Sequence, residues 1–247
     1  AEQLEAAITP KTKAFIFSTP CNPSGSVYTT AELAALAEVF KKYPNIIILS
    51  DEIYEFIQYE QKHESMGQFT ELKDRLVIIN GVAKGYAMTG WRIGYIAAPK
   101  AIVSACNKIQ GQYTSGICTI AQAASLEAVK MSPENSEEIQ TMIKAFRNRR
   151  DMFFELLSEI PGLKLSKPAG AFYMFPEIKS YFGKTDGETT INNSDDLCLY
   201  LLDKAHVACV GGAAFGNDEC IRLSYATSED KLRDAAARIK EALSKLK

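Results

Sequence analysis

Four short runs rich in aliphatic and β-branched residues constrain this chain more than any other feature: Ala14 to Ser18, Asn45 to Ser50, Arg75 to Asn80 and Arg92 to Ala98. Each is bounded by polar, Gly or Pro residues and is too short for a helix, so each reads as a buried strand. Between the first two lies the best helical pattern, Thr30 to Tyr43. Thr29 or Thr30 can cap it, Glu32 suits its first turn, and Leu33, Leu36, Ala37 and Phe40 recur on one face. Strand, helix, strand in this order predicts a parallel sheet covered on its faces, because parallel neighbours need a long crossover.

The texture changes further along. Two helices are predicted at Ala101 to Gln112 and Ile117 to Met131, then a long, charged and largely exposed one at about residues 133–159, reading as a bridge between two domains. Beyond Pro161-Gly162 come short strands at Leu163 to Leu165, Ala171 to Phe175, Val207 to Val210 and Cys220 to Ser224. They are joined by a helix near Asp195 to Ala205 and a closing helix from Glu229 to Lys245. The expected division is a large α/β domain over residues 1–140 with a mostly parallel sheet, and a small α+β domain over residues 141–247. Lys179 to Asn193 reads as a surface loop.

Composition removes several functions. Lys and Arg number 28 against 30 Asp and Glu, a net charge of −2, so no global positive field favours nucleic acid or an anionic membrane surface. The apolar runs fall far short of the roughly 18 residues of a membrane span. Six cysteines without a C-x-x-C pair, and two histidines, argue against structural zinc and for a reduced, cytoplasmic setting. Residue 1 is Ala and no secretory pattern follows it.

Three segments sit just past predicted strands: Asn22-Pro23-Ser24-Gly25, Asp51-Glu52-Ile53-Tyr54, and Ala83-Lys84-Gly85-Tyr86-Ala87-Met88-Thr89-Gly90-Trp91-Arg92-Ile93-Gly94-Tyr95. Singly they read as a turn, a helix-capping carboxylate and a surface lysine. A carboxylate at the carboxyl end of a strand is also where open α/β sheets bind ligands. Taken together, in this order and about thirty residues apart, and followed by Cys220-Ile221-Arg222-Leu223-Ser224-Tyr225, they resemble the class I/II aminotransferases. These are fold-type I pyridoxal-phosphate enzymes, and the nearest branch is that of the bacterial aspartate aminotransferases. Pro168-Ala169-Gly170-Ala171-Phe172-Tyr173 and Gly211-Gly212-Ala213-Ala214-Phe215-Gly216 resemble further segments of that family, with Gly211 where it has Pro.

The resemblance implies roles. Lys84 is the catalytic lysine that holds pyridoxal 5'-phosphate as an aldimine and moves the proton at the substrate Cα. Asp51 pairs with the ring nitrogen, Asn22 and Tyr54 donate to the phenolic oxygen, and Ile53 packs on the ring. Arg92 takes the phosphate and Arg222 the substrate α-carboxylate, where a planar fork of donors suits each anion. No metal is implied. Family members act as homodimers on an amino acid and a 2-oxo acid, here aspartate and 2-oxoglutarate. Gln112-Tyr113-Thr114-Ser115-Gly116 resembles a segment of aspartate-type members. Where many relatives have Ser before the lysine and Ser or Thr three before it, this chain has Ala83 and Gly81. The family's Gly-rich phosphate loop and ring-stacking aromatic have no counterpart here, so the chain reads as a C-terminal fragment that exposes apolar surface and is inactive alone. Two alternatives stay open: a β-eliminating lyase on the same scaffold, and a non-catalytic ligand-sensing domain.

Overall fold

The computed structural model describes residues 1–247. It contains two compact units, the first formed by residues 1–21 and 26–141, the second by residues 22–25 and 142–247. The chain leaves the first unit after Cys21 and re-enters it at Ser26, and the Cys21 N–H donates to the Ser26 carbonyl at 2.8 Å.

In the first unit, α1 (Glu2–Ala7) precedes β1 (Ala14–Ser18), α2 (Thr30–Lys42), β2 (Ile47–Asp51), β3 (Leu76–Gly81) and β4 (Gly94–Ala97). The sheet order is β1-β2-β3-β4. The first three strands are parallel, in register Ser18 to Asp51 and Asp51 to Ile79, while β4 returns antiparallel with Gly81 opposite Gly94. The short link from β3 to β4 explains the reversal, since a parallel neighbour needs a crossover longer than residues 82–93 supply beside their turns.

Helix α2 begins where the capping pattern puts it. The Thr29 side chain accepts from the Glu32 N–H while the Glu32 carboxylate accepts from the Thr29 N–H at 2.8 Å, which satisfies two otherwise orphaned donors. The helix buries Leu33, Leu36, Ala37 and Phe40 against Phe17, Ile48, Met66, Leu72 and Leu76. Fully burying a Leu or Phe contributes roughly 1.5–3 kcal/mol, so this stripe is what holds helix to sheet. At the far end Arg75 donates to the carbonyls of Phe40, Tyr43 and Ile46 at 2.7–3.1 Å, which fixes the helix terminus to the start of β3.

Helices α3 (Lys100–Tyr113) and α4 (Thr119–Lys130) follow. α3 buries no residue, and Tyr113, Ile120, Leu126 and Val129 are exposed, an apolar surface of the kind the sequence leads one to expect. Where one helix is predicted from Pro133, the structure has a short 3-10 turn at Pro133–Asn135 and then α5 (Glu137–Ser158). The Ser136 hydroxyl accepts from the Ile139 N–H and starts α5 afresh. α5 is less exposed than its charge suggests, since Ile139, Arg150, Phe153 and Leu157 are buried.

The second unit is built on a small antiparallel sheet ordered β5 (Tyr173–Met174), β7 (Ile221–Ser224), β6 (Val210–Gly211). α6 (Ser194–Ala205) and α7 (Glu229–Ser244) pack together, with the Tyr200 hydroxyl donating to the Ala242 carbonyl at 2.9 Å and Arg238 to the Ala205 carbonyl at 3.0 Å. Leu163 to Leu165 is not a strand: it makes one bridge, Lys164 to Glu177. The strand predicted over Val207 to Val210 begins only at Val210, because Val207 donates back to the Leu201 carbonyl instead of to a neighbouring strand. No helix is long and apolar enough to cross a membrane.

Candidate functional site

In the first unit the expected site residues collect at the carboxyl ends of the parallel strands. Asp51 is the last residue of β2, and the chain beyond it is fixed by two backbone bonds: Thr19 N–H to the Asp51 carbonyl at 3.0 Å and Glu52 N–H to the Ile79 carbonyl at 2.8 Å. The Asp51 carboxylate is half-buried and accepts from the Ile53 N–H at 3.1 Å. Burial raises its pKa above the usual carboxylate value, the Ile53 N–H opposes this in part, and the neighbouring Glu52 charge adds to it. Such a carboxylate suits a cationic N–H, the group a protonated pyridine ring presents.

Glu52, the next residue, is structural. It is buried, and accepts from the Ser50 and Ser65 hydroxyls at 2.9 and 3.0 Å, from the Met66 N–H at 3.2 Å, and pairs with His63 Nε2 at 2.8 Å. Burial would raise its pKa, but these hydrogen bonds, led by His63, outweigh it and hold the carboxyl low. Two adjacent carboxylates thus have opposite settings, Glu52 held low by its partners and Asp51 raised by burial.

Tyr54 is buried, and Lys84 Nζ lies 5.8 Å from its ring centroid. Lys84 follows β3 in a tight turn, its carbonyl accepting from the Ala87 N–H at 3.2 Å, with Ala87 in the left-handed region at φ 54°. Gly85 is required there: a Cβ would fall 2.4 Å from the Phe56 ring. Ile53 reaches over the end of β3, where a Cβ on Gly81 would lie 3.2 Å from Ile53 Cδ1. Arg92 is exposed, in the left-handed region at φ 57°, and donates to the Thr89 carbonyl at 2.9 Å. It lines an open cleft of about 630 Å³ with Trp91, Gln110, Thr114 and Cys118, to which Asp51, Tyr54 and Lys84 do not contribute.

The second unit holds the other two expected residues. Arg222 lies on β7 and donates from Nη1 to Asn22 Oδ1 at 2.9 Å. Its guanidinium stands 4.7 Å from the Tyr173 ring centroid and 5.0 Å from that of Phe215. Two aromatic rings this close to the guanidinium restrict it. Asn22 is anchored through Gly25, whose carbonyl accepts from the Ala169 and Gly170 N–H groups at 2.9 Å. Tyr173 and Phe215 belong to segments quoted above for their resemblance, yet their part in holding Arg222 is visible only in three dimensions.

A family model described as aminotransferase class I and II matches residues 1–239. The chain belongs to this family. Within it, the chain is 48% identical over 246 residues to a Petunia hybrida protein named bifunctional aspartate aminotransferase and glutamate/aspartate-prephenate aminotransferase, covering 99% of this chain and 51% of that protein. It is 46% identical over 241 residues to an aspartate/prephenate aminotransferase of Cereibacter sphaeroides, covering 96% and 60%. The crystal structure of an aspartate aminotransferase from Rhizobium meliloti superposes with a TM-score of 0.93 at 40% identity, covering all of this chain and 62% of that one. The fold is that of the fold-type I pyridoxal-phosphate-dependent transferases. The chain spans about half the length of the curated relatives it matches.

Proposed function

We propose that this chain carries the lysine, the ring-binding groups and the carboxylate clamp of a pyridoxal-phosphate-dependent aminotransferase, which moves an amino group from an amino acid to a 2-oxo acid. The observation that carries this reading is the half-buried Asp51 carboxylate at the end of β2, with Tyr54 three residues beyond it and Lys84, near the Tyr54 ring, just past the neighbouring strand β3. Pyridoxal phosphate, when bound, supplies an aldehyde carbon that condenses with amines and a ring that accepts electrons from the substrate Cα.

The residues do the rest. Lys84 would hold the cofactor through its amine and would carry the Cα proton of the substrate. Asp51 keeps a proton on the ring nitrogen. Asn22 spends its amide oxygen on Arg222, which leaves its NH₂ group as the donor that the resemblance assigns to the phenolic oxygen. Ile53 would pack on the ring, Arg92 would take the phosphate, and Arg222 would take the substrate α-carboxylate. Fixing that carboxylate sets which Cα bond stands perpendicular to the ring. The names of the relatives favour aspartate as amino donor; 2-oxoglutarate as acceptor and a cytoplasmic homodimer are part of the proposal through the family resemblance alone.

The test is to add pyridoxal phosphate, reduce with borohydride and map the labelled peptide. Label on Lys84 is expected. Label confined to other lysines, in a preparation spanning the full length of the relatives, refutes the reading. Aspartate then distinguishes the chemistry, since oxaloacetate marks transamination and free ammonia marks elimination.

A further inference from the structure

The second unit holds a thiol pair that the function above does not use. Helix α6 ends at His206, which takes the left-handed conformation at φ 53° and turns the chain back along the helix. The returning segment is tied to α6 at two levels. Near the helix end, Val207 N–H donates to the Leu201 carbonyl at 3.1 Å. Near the helix start, a Cβ on Gly211 would lie 2.0 Å from Asp195 Oδ1 and 2.9 Å from Ser194 Oγ, and Ala213 N–H donates to that same Ser194 oxygen at 3.3 Å. The segment therefore runs antiparallel to the helix, with residue 207 beside 201 and residue 211 beside 194 and 195. Midway along the segment is Cys209, and midway between those helix positions is Cys198. The register therefore sets the two side chains beside each other, and each perturbs the other's ionisation. Both are unbonded and half-buried.

We propose that Cys198 and Cys209 form a reversible thiol–disulfide modification site, with Cys198 as the attacking thiolate and Cys209 as the resolving thiol. Their proximity is asymmetric in effect. The neighbouring Cys209 holds the Cys198 thiol below its ordinary pKa against the opposing pull of burial and of Asp195, while the same proximity and burial push Cys209 up. Cys198 is thus the first to ionise, and the thiolate is the reactive form.

The oxidant is a small-molecule disulfide such as oxidised glutathione. The Cys198 thiolate attacks one of its sulfurs, the S–S bond breaks, and one glutathione leaves as thiolate. Cys209 then releases its proton to water and attacks Cys198 Sγ, expelling the second glutathione. Two protein thiols are oxidised by two electrons, one disulfide is reduced to two thiols, and the protons of Cys198 and Cys209 end on them. Of the remaining cysteines in this unit, Cys220 is buried and accepts from Asn217 Nδ2 at 3.3 Å. The link ties α6 to the residue just before β6, whose Val210 is the register partner of Arg222.

The experiment incubates the 247-residue chain with an equimolar mixture of oxidised and reduced glutathione, blocks free thiols by alkylation, and maps the peptides by mass. The expected result is a Cys198–Cys209 linked peptide lighter by two hydrogens, with two of the six thiols lost to alkylation. Cys209→Ser is expected to accumulate glutathione on Cys198, and Cys198→Ser to stay unmodified at Cys209. Retention of both thiols, or a link through any other cysteine, overturns the proposal. Glutathione on Cys209 in Cys198→Ser, as fast as on Cys198 in Cys209→Ser, overturns the assignment of the attacking group. The unsubstituted chain alone decides whether the pair closes, so a poorly folding variant leaves that result intact.

Discussion

Arg222 and Asn22 are two hundred positions apart in the sequence and share a hydrogen bond of 2.9 Å from Nη1 to Oδ1. The Tyr173 and Phe215 rings, 4.7 and 5.0 Å from it, further restrict the guanidinium. Replacing Asn22 by Asp puts a permanent anion against that fork, in competition with the substrate. KM for the amino acid is expected to rise by about tenfold to a hundredfold, which corresponds to roughly 1.4–2.8 kcal/mol. kcat also falls, since the NH₂ donor to the phenolic oxygen is lost. Steady-state kinetics at fixed 2-oxo acid check this, and an unchanged KM removes Arg222 from the carboxylate site.

Asp51 offers a prediction in which stability and activity part company. Its folded-state pKa is raised, chiefly by burial, so above that pKa the ionised carboxylate costs the cofactor-free fold some stability. Asp51→Asn keeps the shape and removes the cost. Thermal unfolding of the cofactor-free protein at pH 7 is expected to occur at a slightly higher temperature than in the parent, whereas turnover falls by on the order of 10²–10⁴-fold because no anion holds the ring proton. A variant that loses stability and keeps its turnover contradicts the role assigned to Asp51.

Much of the first unit was legible from its residues. The run Ala14 to Ser18 is β1 to the residue, and the Thr29–Glu32 pair announces α2, because strand propensity and capping are local properties. The reversal of β4 was not legible, since direction depends on how residues 82–93 turn and not on the strand itself. In the second unit the strands shrink to two to four residues, too short for a period to show, and Leu163 to Leu165 was over-read. Site residues could be named from spacing and resemblance, whereas their partners could not. Nothing in the sequence joins Asn22 to Arg222, brings Tyr173 and Phe215 to Arg222, or sets Cys198 against Cys209 without a C-x-x-C pattern.

Gly25 is the tether of the Asn22 segment, and its requirement is geometric. It has φ +69°, and a Cβ there would lie 2.3 Å from Pro168 Cβ and 2.8 Å from the Gly170 carbonyl oxygen, itself fixed in the backbone. Left-handed strain of about 1–2 kcal/mol adds to overpacking of about 1–3 kcal/mol, so Gly25→Ala is expected to destabilise by about 2–5 kcal/mol. At roughly 2–4 °C per kcal/mol for a chain of this size, the melting temperature drops by about 4–20 °C. Calorimetry measures it directly, and a loss below about 1 kcal/mol would mean that the 168–170 turn yields easily.

The Glu52–His63 pair sets the acid limb of stability. The Glu52 carboxyl is held below its ordinary value of 4.5 in the folded protein, so its contribution is complete above the unfolded pKa and is lost as pH falls through the folded one. Stability measured by urea unfolding is therefore expected to hold level from pH 7 to about 5 and to decline below 4.5 as the proton is forced on. Glu52→Gln removes the charge but keeps the volume. It leaves His63 Nε2, the Ser50 and Ser65 hydroxyls and the Met66 N–H with a poorer acceptor, at a cost of about 1–3 kcal/mol at pH 7. Because the variant has no proton to gain there, its stability changes less between pH 5 and 3.5 than that of the parent, and the two curves converge on acidification. Parallel curves would place the acid sensitivity on other carboxylates and reduce the buried pair to a packing contact.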